Sequence, residues 1–110
     1  MLEIKMSDVT IIPNEMKMRG ILDANEESVV IEGSFVGEIN AKKVYIINGG
    51  KFEGLINSKE IEIDGLFNGI LKTNNLVVKE NGKVAGEIFT DGLSIDIGAF
   101  FSGQVGGNLN

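Results

Sequence analysis

The sequence predicts an all-β, single-domain parallel β-helix: a solenoid of about six coils, each of 15–17 residues. Three observations carry that prediction. One phrase recurs in tandem along the chain, apolar and polar residues alternate within each copy, and the apolar runs are short and cut by Gly, Asn or polar corners. A period of two is the strand signature, because successive side chains point to opposite faces of a strand. No stretch carries a 3.6-residue helical stripe. A unit of this length is also too short for a propeller blade of about 40–45 residues. Short strands wound into coils would instead stack at the sheet spacing of about 4.8 Å.

The repeat is plainest in "VVIEGSFVGEI", Val29 to Ile39, and "IEIDGLFNGIL", Ile61 to Leu71. Aligned on the second glycine, the copies are anchored at Gly20, Gly37, Gly54, Gly69, Gly86 and Gly103, at intervals of 17, 17, 15, 17 and 17 residues. Two positions earlier stand Met18, Phe35, Phe52, Phe67, Val84 and Phe101; two positions later stand Leu22, Ile39, Ile56, Leu71, Ile88 and Val105. Each unit opens on an apolar pair: Val29 and Ile31, Val44 and Ile46, Ile61 and Ile63, Leu76 and Val78, Leu93 and Ile95. These openings alternate between 15 and 17 residues because two residues are inserted at one fixed place, as in Ile46-Ile47-Asn48-Gly49-Gly50. Alternate units therefore carry a corner that bulges outward while the rest of the turn is held constant.

The glycines are expected at corners, where positive φ or a tight bend carries no Cβ penalty. A phosphate-cradling loop is excluded, since "GGK" at Gly49 to Lys51 runs into Phe52 and another strand and not into a helix. Phe35, Phe52, Phe67, Val84 and Phe101 should form a ladder inside the tube, with stacked rings adding ~0.5–1.5 kcal/mol per pair beyond burial. Four inward apolar positions per coil would make a continuous dry core. Charged residues occupy the alternate, outward positions, among them Glu32, Glu38, Lys51, Glu53, Lys59, Glu62, Asp64, Lys72, Lys79 and Glu87.

Composition narrows the chemistry. Among 110 residues there is neither Cys nor His, which excludes disulfides, thiolate or imidazole metal sites and a histidine base. The net charge of −6 argues against nucleic acid, whose phosphates are held by Lys and Arg. Glu26-Glu27 and the pair Glu62 and Asp64 are the nearest approach to an acid–base site, and no other catalytic residue type accompanies them. Asp91, Asp96 and Asn108 match no calcium loop. No catalytic, cofactor-binding or metal-ligating residue is therefore assigned. No apolar run reaches the ~18 residues of a membrane span, and "MLEIKMSDVT" lacks the pattern of a secretory signal. The expectation is a soluble, intracellular protein.

The phrase read at Val29, Val44, Ile61, Leu76 and Leu93 resembles the bactofilins, bacterial polymer-forming cytoskeletal proteins, over about residues 10 to 107. The resemblance implies a right-handed, three-sided β-helix that assembles end to end into filaments without nucleotide. It implies a scaffold for cell shape and envelope synthesis at the inner face of the cytoplasmic membrane, with cell-wall-modifying enzymes among its partners. It further implies an N-terminal membrane-targeting segment, and here Met1, Leu2, Ile4 and Met6 alternate with Glu3 and Lys5. The expected division is a tail or cap over residues 1–9, the β-helix over 10–107 and a tail over 108–110.

The physics of an open end leads to self-association independently. Terminal coils leave backbone groups and inward side chains without a neighbour, and such edges recruit strands unless capped. The expected self-association residues are Met16, Met18 and Leu22 at one end, and Leu93, Ile95, Phe100, Phe101 and Val105 at the other. Two alternatives come from other classes. A β-helix enzyme would need a histidine base or long inserted loops, and neither is present. A non-polymerising binding module such as an ice binder would display a threonine ladder, whereas Thr10, Thr73 and Thr90 are the only threonines.

Overall fold

The computed structural model describes residues 9–107. Over that span the chain forms seven parallel strands, and no helix occurs among the described residues: β1 Val9–Ile12, β2 Lys17–Ile31, β3 Ser34–Ile46, β4 Lys51–Ile63, β5 Leu66–Val78, β6 Lys83–Ile95 and β7 Phe100–Gly106. Each pairs only with its sequence neighbours, in the order β1-β2-β3-β4-β5-β6-β7. Consecutive strands can be parallel and adjacent only if the chain travels once round a closed circuit between them. The molecule is therefore a β-solenoid of about six turns.

The register is the one that the repeat dictates. Gly20, Gly37, Gly54, Gly69, Gly86 and Gly103 pair in one unbroken column, and the Met18-to-Phe101 and Leu22-to-Val105 columns run beside it. A one-residue slip would turn every apolar side chain outward, so the alternation fixes the pairing. Three corners divide each coil into three sides. The first side ends at the anchor glycine. The second runs from there to a corner at Lys42 and its equivalents. The third ends at a turn such as 47–50, before the next strand begins.

The anchor glycines and those four positions earlier are required for different reasons. Gly54 has φ +133°, and a Cβ there would also run into the carbonyl oxygen of Gly37 in the coil beneath. Gly50 has no such φ, but its Cβ would strike the carbonyl oxygen of Ile31. Both columns let two backbones approach, and of the two only the anchor column also has positive φ.

The third corner is a hydrogen-bonded turn in the long units: Met16, Gly50, Gly82 and Ala99 donate their N–H to the carbonyls of Pro13, Ile47, Lys79 and Asp96 at 2.8–3.2 Å. Strict alternation of long and short units fails at the last two, whose turns at 79–82 and 96–99 follow one another. A second insertion lies elsewhere. Asn25, Glu26 and Glu27 occupy the corner that Lys42 fills alone one coil later, which shifts the register between Ala24 and Ser28.

The core is continuous along the axis. Ile39, Val44, Ile56, Ile63, Leu71, Val78 and Ile88 are fully buried. The rings of Phe35 and Phe52 stack at 5.7 Å and those of Phe52 and Phe67 at 5.6 Å, within 10° of parallel. There are five inward columns, one more than the expected four. The fifth is Ala24, Ala41, Ser58, Thr73 and Thr90. Its hydroxyls satisfy the second corner: Thr73 donates to the Asn75 carbonyl at 3.2 Å and Thr90 to the Gly92 carbonyl at 2.8 Å. Buried hydroxyls are tolerated here because each has an acceptor.

Candidate self-association site

The two ends repeat the interior columns with one neighbour missing. Inside the tube, Leu76, Val78 and Ile88 are no more than 1% exposed. One coil further, at the C-terminal end, their column mates Leu93, Ile95 and Val105 are 43%, 44% and 48% exposed. Phe101 is half-buried against the core in register with Val84, and among the described residues no ring stacks on it. Among the described residues, the β7 backbone from Phe100 to Gly106 is paired with β6 alone.

At the N-terminal end Met18 is 40% exposed, while its column mate Phe35 is 2% exposed. Leu22 is half-buried and packs on the core. Strand β1 lies over the third side there, Thr10 aligning with Val29 and Ile12 with Ile31. Ile12 is fully buried, so this end keeps more of its apolar surface covered than the other.

Met16 is in the turn 13–16 of the N-terminal coil, where its carbonyl accepts the Ser34 N–H at 2.9 Å, and it is 44% exposed. One of the eight expected residues sits off the end faces. Phe100 lies in register with Lys83, Leu66 and Lys51 on the outside of the first side and is 60% exposed. Met16, Met18, Leu22, Leu93, Ile95, Phe101 and Val105 are the residues gathered at the ends. The apolar segment Met1, Leu2, Ile4 and Met6, the tail 108–110 and Asn108 lie outside the described residues.

Other candidate chemistry does not assemble. Glu62 lies 3.8 Å from the Lys79 ammonium, and Asp64 accepts the Asn81 backbone N–H at 3.1 Å, so both acids serve contacts between coils. Among the described residues no three acidic side chains gather closely enough to hold a metal ion, and no helix is long and apolar enough to cross a membrane. A groove of about 700 Å³ follows the corner between the first and second sides, with the anchor glycines from Gly20 to Gly69 as its floor. Its lining combines Ile21, Val36, Leu55 and Ile70 with Arg19, Glu38, Glu53 and Asn68, and contains no Ser, Thr, Tyr or Lys.

The fifth column was not recognised in the sequence. Its signal is present, since a small or hydroxylated residue stands four positions after each of five anchors. It is masked because Ala, Ser and Thr read as polar or neutral in a hydrophobic pattern.

A family model described as Bactofilin, polymer-forming cytoskeletal, matches residues 10–106. Neither the search of curated proteins nor that of solved structures found a match.

Proposed function

This chain belongs to the bactofilin family of polymer-forming cytoskeletal proteins, and we propose that it acts as a non-enzymatic scaffold whose molecules join end to end through their terminal coils. The supporting observation is the change in exposure along single columns, from buried in the interior to 40–48% exposed at Met18, Leu93, Ile95 and Val105. Covering such surface is favourable by about 25 cal/mol per Å², and the unpaired strand edges would gain hydrogen bonds at the same time. The driving force is burial and strand pairing, so growth needs no nucleotide. In the cell the polymer would organise cell-shape or envelope-synthesis machinery, including cell-wall-modifying enzymes, at the inner face of the cytoplasmic membrane.

Negative-stain microscopy of purified protein without nucleotide tests the proposal, with ordered threads as the expected result. Phe101→Arg and Val105→Arg each place a charge where a neighbour would desolvate it and should leave folded but short species. A wild type that stays monomeric at high concentration, or arginine variants that still form long threads, would refute end-to-end joining and favour a non-polymerising binding module. Liposome co-sedimentation with and without residues 1–8 tests the membrane contact separately, and undiminished binding after the deletion would discard the N-terminal segment as the anchor.

A further inference from the structure

Asparagine is followed by glycine at three places: Asn48-Gly49, Asn68-Gly69 and Asn81-Gly82. The side-chain amide of Asn is open to attack by the backbone nitrogen of the next residue, and glycine hinders that attack least because it has no side chain. All three asparagines are exposed, so access to solvent does not separate them. The state of the glycine nitrogen does.

In the turn 79–82 the Gly82 N–H donates to the Lys79 carbonyl at 2.9 Å and closes the turn. Gly69 lies in the paired column between Gly54 and Gly86, where its peptide cannot rotate without unpairing the coils. The turn 47–50 carries the same dipeptide one place earlier. There Gly50 closes the turn by donating to the Ile47 carbonyl at 2.8 Å, and the Gly49 N–H donates to no acceptor among the described residues. Gly49 has φ +95°, and a Cβ on it would meet nothing within 4 Å. Type I and type II turns differ in the orientation of their central peptide, and glycine accepts either sign of φ. The 48–49 peptide can therefore rotate with the Gly50 hydrogen bond intact. Asn14-Glu15 occupies the matching place in the turn 13–16, which Met16 closes, but there the attacking residue carries a side chain.

We propose that Asn48-Gly49 is a site of spontaneous modification, at which the Gly49 nitrogen closes on the Asn48 amide to give a cyclic imide that water opens to a carboxylate. The bond from the Gly49 nitrogen to Asn48 Cγ forms as the Cγ–Nδ2 bond breaks. The amide nitrogen leaves as ammonia, taking the proton that Gly49 gives up. Water then cleaves the imide on one side or the other. Cleavage at Cγ leaves an aspartate at position 48, and cleavage at the main-chain carbonyl leaves an isoaspartate, whose main chain is one carbon longer. Either product adds a negative charge to an exposed corner. The second also lengthens the connection between Ile46 and Gly50, both of which are buried. The reaction proceeds in single molecules and does not require threads.

The test is peptide mapping by mass spectrometry of the intact chain after ageing in neutral and in mildly alkaline buffer. Asn48 should convert at least about tenfold faster than Asn68 or Asn81, whose glycine nitrogens must first leave a paired backbone. Its rate should rise in the alkaline buffer, because the attacking nitrogen must lose a proton. In concentrated urea the three pairs should convert at similar rates. Gly49→Ala, which introduces no clash, should slow conversion at Asn48, and Glu15→Gly should open Asn14 as a second site. Conversion of Asn48 no faster than Asn81 in the folded chain overturns the proposal. So does a folded-chain preference equal to that in urea, or an Asn14 that stays intact in the Glu15→Gly chain.

Discussion

An interior coil and a terminal coil of this protein are nearly the same sentence with different neighbours. Phe52 and Ile63 in β4 are 2% and 0% exposed; Met18 at one end is 40% and Ile95 at the other 44%. The residue types are similar and the register is continuous. What differs is whether a second coil lies above. A solenoid is stabilised by nearest-neighbour interfaces, not by anything a coil does alone. An end is a coil with half its interface unmet.

The largest expected effect breaks that comparison at one residue type. Gly54 and Gly20 share a left-handed backbone, φ +133° and +138°, but a Cβ at Gly54 meets the Gly37 backbone and a Cβ at Gly20 meets nothing within 4 Å. Gly20→Ala should cost only conformational strain, on the order of 1–3 kcal/mol. Gly54→Ala adds a clash with backbone that cannot move independently and should prevent folding or cost well beyond that range. Urea titrations followed by circular dichroism would compare them, and equal midpoints would mean that the coils are less tightly stacked than described.

Next come the rings. Phe52→Ala removes a fully packed ring with a stacked neighbour on each side and should cost about 3–5 kcal/mol. Phe101→Ala, at a half-buried position, should cost about 1–2 kcal/mol, scaled down from the same series. A ratio near one in thermal unfolding would contradict the neighbour-based account.

The smallest effect concerns the fifth column. Thr73 is 1% exposed and links Ser58 to the Asn75 carbonyl, so Thr73→Val should cost about 1–2 kcal/mol. Thr10→Val, at the partly exposed N-terminal layer, should be near neutral. If hydrogen exchange at the second corner is unchanged by Thr73→Val, the hydroxyl does not hold that corner.

Much of this architecture could be read in the chain before any coordinates. The anchors, the Phe column and the opening apolar pairs occur at fixed spacings, and spacing survives in a linear string. Three features could not be read there. The glycine four positions before each of the four interior anchors looks like a second turn residue, and only the stacked carbonyl of Ile31 reveals that Gly50 yields space to backbone. The inward Ala and Thr positions hide within a polar-looking half of the repeat. Phe100 reads as one of two adjacent aromatics in the last coil, yet the register sends it outward beside Lys83 while Phe101 turns inward.

The sequence by itself determined the solenoid, because a period of two repeated every 15–17 residues admits one way to hide its apolar positions. Only the tertiary structure decided how the hydroxyl column is satisfied and how much of each end is left uncovered. Those properties depend on residues one or two coils apart in space, 15 to 34 positions apart in the chain. Contacts across that separation exist only after the coils have stacked.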